Sequence, residues 1–145
     1  MFRKIRYEII KVSRAHGTVH EIALGAAIGA FISIFPTFGL GTLLVLLAYR
    51  FINFNLVSAI SGSLISNIFT SPLFMALSYK IGSLIFKPES ALDFKNWYKH
   101  LDHLGISVLT GGFILSTFSA FLIYYSVKII MQYYRDQKLK KSLTQ

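Results

Sequence analysis

The chain has 145 residues and a net charge of +9, and 54% of its residues are hydrophobic whereas only 14% are charged. Soluble domains carry about 25% charged residues, so this composition excludes an ordinary soluble domain. The length predicts a single domain, 1–145. The absence of cysteine excludes disulfides, thiolate nucleophiles and cysteine-based metal sites.

Long uncharged stretches separate the few polar landmarks of the chain. There are 28 residues between Glu21 and Arg50, 29 between Arg50 and Lys80, and 24 between His103 and Lys128. Apolar runs of 18 or more residues with few charges are typical of membrane segments. The sequence therefore predicts an all-α integral membrane protein.

Most of the positive charge lies in the two tails, which contain Arg3, Lys4, Arg6, Lys11 and Arg14 at one end and Lys128, Arg135, Lys138, Lys140 and Lys141 at the other. Basic flanks beside apolar runs predict that both tails are cytoplasmic, in a multi-pass protein of the bacterial inner membrane. We expect the lipid bilayer and anionic lipid headgroups as partners. We expect no nucleic acid, because no basic face exists apart from these tails.

Residues 1–17 are predicted to form a basic amphipathic helix. Phe2, Ile5, Ile9 and Val12 share one face, and basic side chains lie opposite. Such a helix can lie among the headgroups of an anionic leaflet, or it can be a solvated helix that only sets the topology. The sequence leaves both alternatives open.

A second predicted helix starts after Thr18, which forms a capping-box pattern with Glu21. Gly25, Gly29 and Ser33 then recur every four residues. Such a ridge of small residues allows another helix backbone to approach closely in lipid, so we interpret it as a packing surface.

The stretch "FPTFG" interrupts this apolar run at residues 35–39. The piece before it, 19–35, would form roughly 26 Å of helix, and the piece after it, 40–51, roughly 18 Å. The hydrocarbon core is about 30 Å thick, so the second piece is too short to cross it. The lengths predict a helical hairpin that enters the membrane and turns inside it.

The next run repeats this plan. An apolar piece at 56–65 is followed by "SNIFTSP" and by a second apolar piece at 73–86. Ser71 before Pro72 is a helix-start signal, because serine caps helices and proline is tolerated in the first turn. The core at 18–86 is therefore predicted to hold two Pro/Gly-broken helical hairpins, re-entrant or discontinuous, as in inverted-repeat transporters.

The rest of the chain is predicted as a polar, nearly neutral periplasmic loop at 87–103, a full transmembrane helix at 104–127 and a basic cytoplasmic tail at 128–145. Gly111 and Gly112 offer a packing notch on the transmembrane helix. Two cytoplasmic tails require an even number of crossings, so one of the two broken runs has to cross the membrane. The sequence does not indicate which one.

The segments "EIALGAAIGAFISIFPTFGLGTLLVLLAYRF" and "NLVSAISGSLISNIFTSPLFMALSYKIG" resemble a bacterial membrane family, domain of unknown function 2062. Members of this family read S-N-P-x-T-x-P where this chain has Ser66, Asn67, Ile68, Thr70 and Pro72. The resemblance implies an inner-membrane protein of unestablished activity. In some members the domain is joined to glycosyltransferase-like domains, which implies a connection to lipid-linked sugars or polyprenyl carriers.

Irregular backbone at membrane depth is tolerated only where protein buries it or where it lines a water-filled cavity. Each break also begins a half-helix whose N-terminus favours an anion. We therefore expect the two breaks to face each other and to bind an anionic or lipid headgroup. The alternative is that the polar side chains only satisfy freed backbone groups. The candidate ligand-binding residues are Pro36, Thr37, Gly39, Thr42, Arg50, Ser66, Asn67, Thr70, Ser71 and Pro72.

Arg50 has two interpretations, as an interfacial anchor at the end of a half-helix or as a bidentate phosphate contact.

The histidines give no clear metal-site pattern. His16 and His20 are four residues apart, and "HLDH" occupies 100–103. We expect no metal, because Gly17 and Thr18 interrupt the first pair and the second cluster lacks a third strong ligand. No catalytic constellation is visible either, so we expect no enzyme activity and no cofactor.

Two functions follow from these features. The first is a small transporter or lipid-handling protein, acting as a homo-oligomer or with a membrane protein partner because so few segments make a poor barrier alone. The alternative is a non-catalytic anchor or scaffold for enzymes of cell-envelope, lipid-linked glycan synthesis. A transporter needs the two breaks to converge on a hydrated cavity, whereas a scaffold can bury them dry.

Overall fold

The computed structural model describes residues 17–37, 40–67, 69–86 and 101–143. These residues form five helices and no strand: α1 is Val19–Ile34, α2 Gly41–Phe51, α3 Leu56–Ser63, α4 Ser71–Phe86 and α5 Leu101–Leu143. The all-α prediction is confirmed. The predicted amphipathic helix lies outside the described residues except for Gly17, which is not helical, and 87–100 of the predicted loop also lie outside them.

Helix α1 begins with the predicted capping box. The Glu21 amide donates to Thr18 Oγ1 at 3.2 Å, and the Thr18 amide donates to Glu21 Oε2 at 2.8 Å. The helix ends at Ile34, two residues before Pro36, where the residue preceding a proline disfavours helical backbone. More than half of its residues are buried, so α1 lies at the centre of the bundle.

Helix α3 packs parallel to α1 at very short range. Gly25 contacts Ser58, and Gly29, one turn later in α1, contacts Ala59, which also lies later in α3. The two helices therefore run in the same direction along their interface. A Cβ atom added to Gly29 would overlap the Ala59 carbonyl oxygen, and one added to Gly62 would overlap that of Ala26. The predicted small-residue ridge is thus a helix-packing surface at its two glycines.

Helix α5 runs antiparallel to both α1 and α4. His20 and Phe31 of α1 contact Tyr124 and Phe113 of α5, respectively. Along α4, Ser78 meets Gly111 and Gly82 meets Ser107, again with no room for a Cβ atom on either glycine. The contacts at Gly111 and Gly112 confirm the predicted packing notch.

These contacts fix the direction of each segment. After the first break, at 35–40, α2 starts beside Ile32 and leads back to Asn55, whose amide donates to the Glu21 carbonyl at 2.9 Å. The first break therefore reverses the chain. Helices α3 and α4 both run antiparallel to α5, so the second break, at 64–70, does not reverse it.

The second broken run thus keeps one direction through its break, as in the discontinuous alternative of the prediction, and does not turn back as a hairpin. The local hydrogen bonds of the break form two short turns. Ile65 donates to the Gly62 carbonyl, and Thr70 and Ser71 donate to the Asn67 carbonyl, over spacings of three and four residues. These turns connect the end of α3 to the start of α4.

Helix α5 is much longer than the predicted span at 104–127. It includes 101–103, which were predicted as loop, and 128–143, which were predicted as a tail. No glycine or proline follows Gly112, so nothing in the sequence ends the helix. Its part Gly105–Gln137 is long and apolar enough to cross a membrane.

Candidate functional site

The two breaks meet at one pocket of about 570 Å³. The start of α2, the end of α3 and the first half of α4 complete its walls. We call this cavity the break pocket; its lining consists of Ser33, Ile34, Phe35, Pro36, Thr37, Gly41, Thr42, Ser63, Ser66, Asn67, Ser71, Pro72, Met75 and Ser78. Eight of these fourteen residues carry a hydroxyl or an amide side chain.

Seven of the ten candidate residues from the sequence line this pocket: Pro36, Thr37, Thr42, Ser66, Asn67, Ser71 and Pro72. Gly39 lies outside the described residues. Thr70 is not part of the lining, because its hydroxyl is directed into the turn and donates to the Ile65 carbonyl at 3.1 Å. The structure therefore places residues of both breaks around one pocket.

Arg50 does not belong to this pocket. It lies in the last turn of α2, eight residues beyond Thr42, which is roughly 12 Å along the helix. Because α2 leads away from the first break, its C-terminal end lies on the far side from the pocket. The geometry separates Arg50 from the other candidates, and its interpretation as an interfacial anchor stays a prediction.

The first break presents a helix N-terminus to the pocket. The Leu40 amide donates to the Thr37 carbonyl at 3.0 Å, and α2 then starts at Gly41 without a side-chain cap from Leu40. The first amides of a helix have no partner within the helix and carry partial positive charge. Since Gly41 and Thr42 line the pocket, this end of α2 opens onto it.

The second break is held by two side chains. Asn67 Oδ1 accepts from the amides of Phe69 at 2.9 Å and Thr70 at 3.1 Å. Thr70 Oγ1 accepts in turn from the Asn67 amide at 2.9 Å. These bonds satisfy backbone groups that the broken helix would otherwise leave free, so Asn67 stabilises the turn and also lines the pocket.

The pocket lining includes described residues of the "FPTFG" and "SNIFTSP" segments, which carry the resemblance to domain of unknown function 2062. The profile of that family, described as "Uncharacterized protein conserved in bacteria (DUF2062)", matches residues 2–140. The chain belongs to this family. The match extends beyond the 18–86 core and includes nearly all of α5. No curated protein and no solved structure matches the chain.

In this DUF2062 chain the floor of the pocket includes Ser78, a residue that sequence reasoning missed. Ser78 is 1% exposed, and its Oγ has no hydrogen-bond partner among the residues that the structure describes. A buried hydroxyl without a partner costs about 1–3 kcal/mol. The signal in the sequence was weak, because a single serine within an apolar helix ordinarily bonds to its own backbone.

The lining of the pocket carries no charged side chain. Its polar character comes from hydroxyls, one amide and the helix N-terminus at Gly41. Ser33 and Ser63 were also missed, because both lie in helices rather than in the breaks. Their hydroxyls donate to the carbonyls of Ala30 and Ile60. Such a site can solvate a polar headgroup, with positive potential supplied by backbone amides alone.

The histidines of this DUF2062 chain lie elsewhere. His20 Nδ1 lies 2.8 Å from Tyr124 Oη, a contact between α1 and α5. His16 and His100 lie outside the described residues, as does the side chain of His103. The expectation that no metal binds there stays a prediction.

Proposed function

We propose that the chain is a multi-pass protein of the bacterial inner membrane that binds an anionic lipid headgroup in the break pocket, as a small transporter or lipid-handling protein. One observation carries the proposal: the two breaks converge on a single cavity lined by polar side chains. A scaffold could instead pack both breaks against other protein segments without water, and it would not need a polar cavity between them.

The surface of the helices supports placement in a bilayer. Phe51 is 79% exposed, Leu84 74% and Phe118 63%, on α2, α4 and α5 respectively. Apolar side chains of this size lie on the outside of all three helices. Lipid is the solvent that such a surface fits, whereas soluble monomers rarely expose large contiguous apolar patches.

The helix directions support a specific topology. In our proposal α1 and α2 form a re-entrant hairpin, α3 and α4 form one discontinuous crossing, and α5 is the second crossing. Two crossings place both basic tails on the same side, which fits the positive-inside rule. The breaks then lie within the membrane, where they line a cavity, as irregular backbone at that depth requires.

A lipid fits the surroundings of the pocket better than a free anion. Leu40 and Leu43 adjoin the lining residues Gly41 and Thr42 in sequence, and Phe69 lies between Asn67 and Ser71, two residues from each. These three side chains are 57%, 62% and 88% exposed. An apolar rim of this kind can contact acyl or prenyl chains while the headgroup occupies the polar interior. A phosphate group suits that interior, because helix N-termini bind phosphate through their free amides.

Ligand binding can be tested by thermal denaturation of the purified protein in detergent with four additives. These are dioctanoyl phosphatidic acid, a short polyprenyl phosphate, dioctanoylglycerol and inorganic phosphate. We expect the two lipid phosphates to raise the melting temperature, by roughly 10 °C at a hundred times the Kd. Dioctanoylglycerol lacks the phosphate and inorganic phosphate lacks the tail, so both should give much smaller shifts.

Equal shifts with dioctanoylglycerol would contradict an anion site. An equal or larger shift with inorganic phosphate would assign the pocket to a free anion. No shift with any additive would contradict the proposed function and favour the scaffold.

The topology can be tested with single cysteines, because the chain has none of its own. Ile52→Cys, after α2, should react with a membrane-impermeant maleimide only from the cytoplasmic side. Phe86→Cys, at the end of α4, should react only from the periplasmic side. Periplasmic labelling of Ile52→Cys would show that α1 and α2 do not form a re-entrant hairpin.

A further inference from the structure

Among the hydroxyl residues of the described helices, Ser78 is the one whose buried Oγ has no hydrogen-bond partner. Most of them donate to a carbonyl three or four residues earlier, the usual arrangement for serine and threonine in helices. The residues that do so are Ser33, Ser58, Ser61, Ser63, Ser83, Thr110, Ser116 and Thr117. Ser78 Oγ makes no such bond and finds no partner elsewhere in the described part of the chain.

The packing around Ser78 holds this hydroxyl in place. Its carbonyl oxygen touches Gly111 of α5, and a Cβ atom added to Gly112 would lie 3.4 Å from its Oγ and 2.8 Å from Pro36 Cδ. Ser78 therefore lies where α4, α5 and the first break meet. Its side chain is 1% exposed, yet it is part of the lining of the break pocket.

We propose that Ser78 Oγ is a ligand contact of the break pocket that donates a hydrogen bond to an anionic oxygen of the bound headgroup, such as a phosphate oxygen. This inference rests on the proposed function, since it names a residue for the same site. The proposal also gives a reason why the buried Ser78 hydroxyl does not donate to a carbonyl of its own helix, as most other helix hydroxyls of the protein do.

Two different helices offer donors to the pocket. The amides at the start of α2 and the hydroxyl of Ser78 on α4 both belong to its lining. A phosphate group has acceptor oxygens in several directions, so one headgroup can accept from both. No side chain of the lining supplies a positive charge, so an anion in this pocket depends on such neutral donors.

The test compares Ser78→Ala with Ser116→Ala. Ser116 is also a buried serine, but its Oγ donates to the Phe113 carbonyl at 3.1 Å and it does not line the pocket. Both variants lose one hydroxyl from a buried helix position. The measurements are the melting temperature without additive and the affinity for dioctanoyl phosphatidic acid, followed by titrated thermal shift.

We expect Ser78→Ala to keep or raise the melting temperature without additive, because the lost hydroxyl has no partner in the described protein. We expect its affinity for dioctanoyl phosphatidic acid to fall about tenfold, as for the loss of a hydrogen bond to a charged group. Ser116→Ala should bind the lipid as the unmodified protein does.

Unchanged affinity in Ser78→Ala would overturn the assignment and leave the proposed function standing. A melting temperature without additive clearly below that of Ser116→Ala would also overturn it, because the hydroxyl would then have a structural partner. If the unmodified protein fails to bind any lipid phosphate, both the assignment and the proposed function fall.

Discussion

The two breaks of this protein look alike in sequence but are held in different ways. The first, at 35–40, reverses the chain, and its described hydrogen bonds are backbone bonds at Thr37 and Leu40. The second, at 64–70, keeps the direction of the chain and is held by Asn67 and Thr70. A proline and polar residues therefore mark the place of a break but not its geometry.

The difference also divides the polar residues of the pocket by role. Asn67 already accepts two backbone amides, so its side-chain oxygen has a structural task. Thr37 and Ser78 make no side-chain hydrogen bond within the described residues. The most conspicuous polar residue of the second break is thus a stabiliser of the turn, and the less conspicuous hydroxyls are the candidates for ligand contact.

The largest effect is expected where the two broken runs pack together. In Gly29→Leu the side chain would collide with the Ala59 backbone, forcing α1 and α3 apart and separating the breaks. We expect a loss of about 3 kcal/mol or more in unfolding free energy, at the upper end of overpacking penalties. Thermal denaturation in detergent measures it.

Gly105→Leu is the matched control, because a Cβ atom there has no neighbour within 4 Å. This variant should unfold at or above the temperature of the unmodified protein, since leucine favours helix more than glycine. Equal melting temperatures for the two leucine variants would contradict the close α1–α3 packing.

A second prediction separates the roles of the two breaks. Asn67→Ala removes the acceptor for the Phe69 and Thr70 amides, so the unfolding free energy should fall by roughly 1–3 kcal/mol. Thr37→Ala should change it by less than about 0.5 kcal/mol. The same denaturation experiment measures both variants. A larger loss of unfolding free energy in Thr37→Ala than in Asn67→Ala would contradict the assignment of the stabilising role to Asn67.

The third prediction concerns binding by the first break. Thr37→Ala should weaken the binding of dioctanoyl phosphatidic acid by roughly three- to tenfold, because a hydroxyl of the pocket lining is lost. Titrated thermal shift gives the affinity. Full affinity in this variant would exclude Thr37 from the contacts with the headgroup.

The smallest effect is expected at Arg50, which lies at the far end of α2. Arg50→Gln should bind dioctanoyl phosphatidic acid within about twofold of the unmodified protein, since Arg50 does not line the pocket and lies roughly 12 Å along α2 from Thr42. A loss of affinity larger than that of Thr37→Ala would indicate that Arg50 contacts the ligand and would contradict its separation from the pocket.

Much of this architecture was accessible from the sequence. The capping box at Thr18, the glycine ridge and both breaks follow from local rules of helix formation and helix packing. Convergence of the breaks was predicted from their shared design. The direction of the second break was not, because turn hydrogen bonds such as those of Asn67 depend on conformation rather than on residue type.

Ser78 shows a second limit of sequence reasoning. Ser78 is a candidate ligand contact because its buried hydroxyl has no hydrogen-bond partner in the described residues. The amino-acid sequence alone does not show whether a serine in a helix has a partner. The full length of α5 was missed for a different reason: the basic residues after Lys128 were interpreted as a tail, although Lys and Arg are good helix formers. Arg135 in fact donates to the Gly17 carbonyl, so this part of α5 packs near the start of α1.

The central claim is that the two breaks form one headgroup site, and protection of single cysteines tests it most directly. Thr37→Cys and Ser66→Cys place one thiol in each break, and Ile52→Cys serves as a control outside the pocket. We predict that saturating dioctanoyl phosphatidic acid slows alkylation at both 37 and 66 by a water-soluble maleimide and leaves 52 unchanged. Protection at only one break, or at neither, would contradict a shared site.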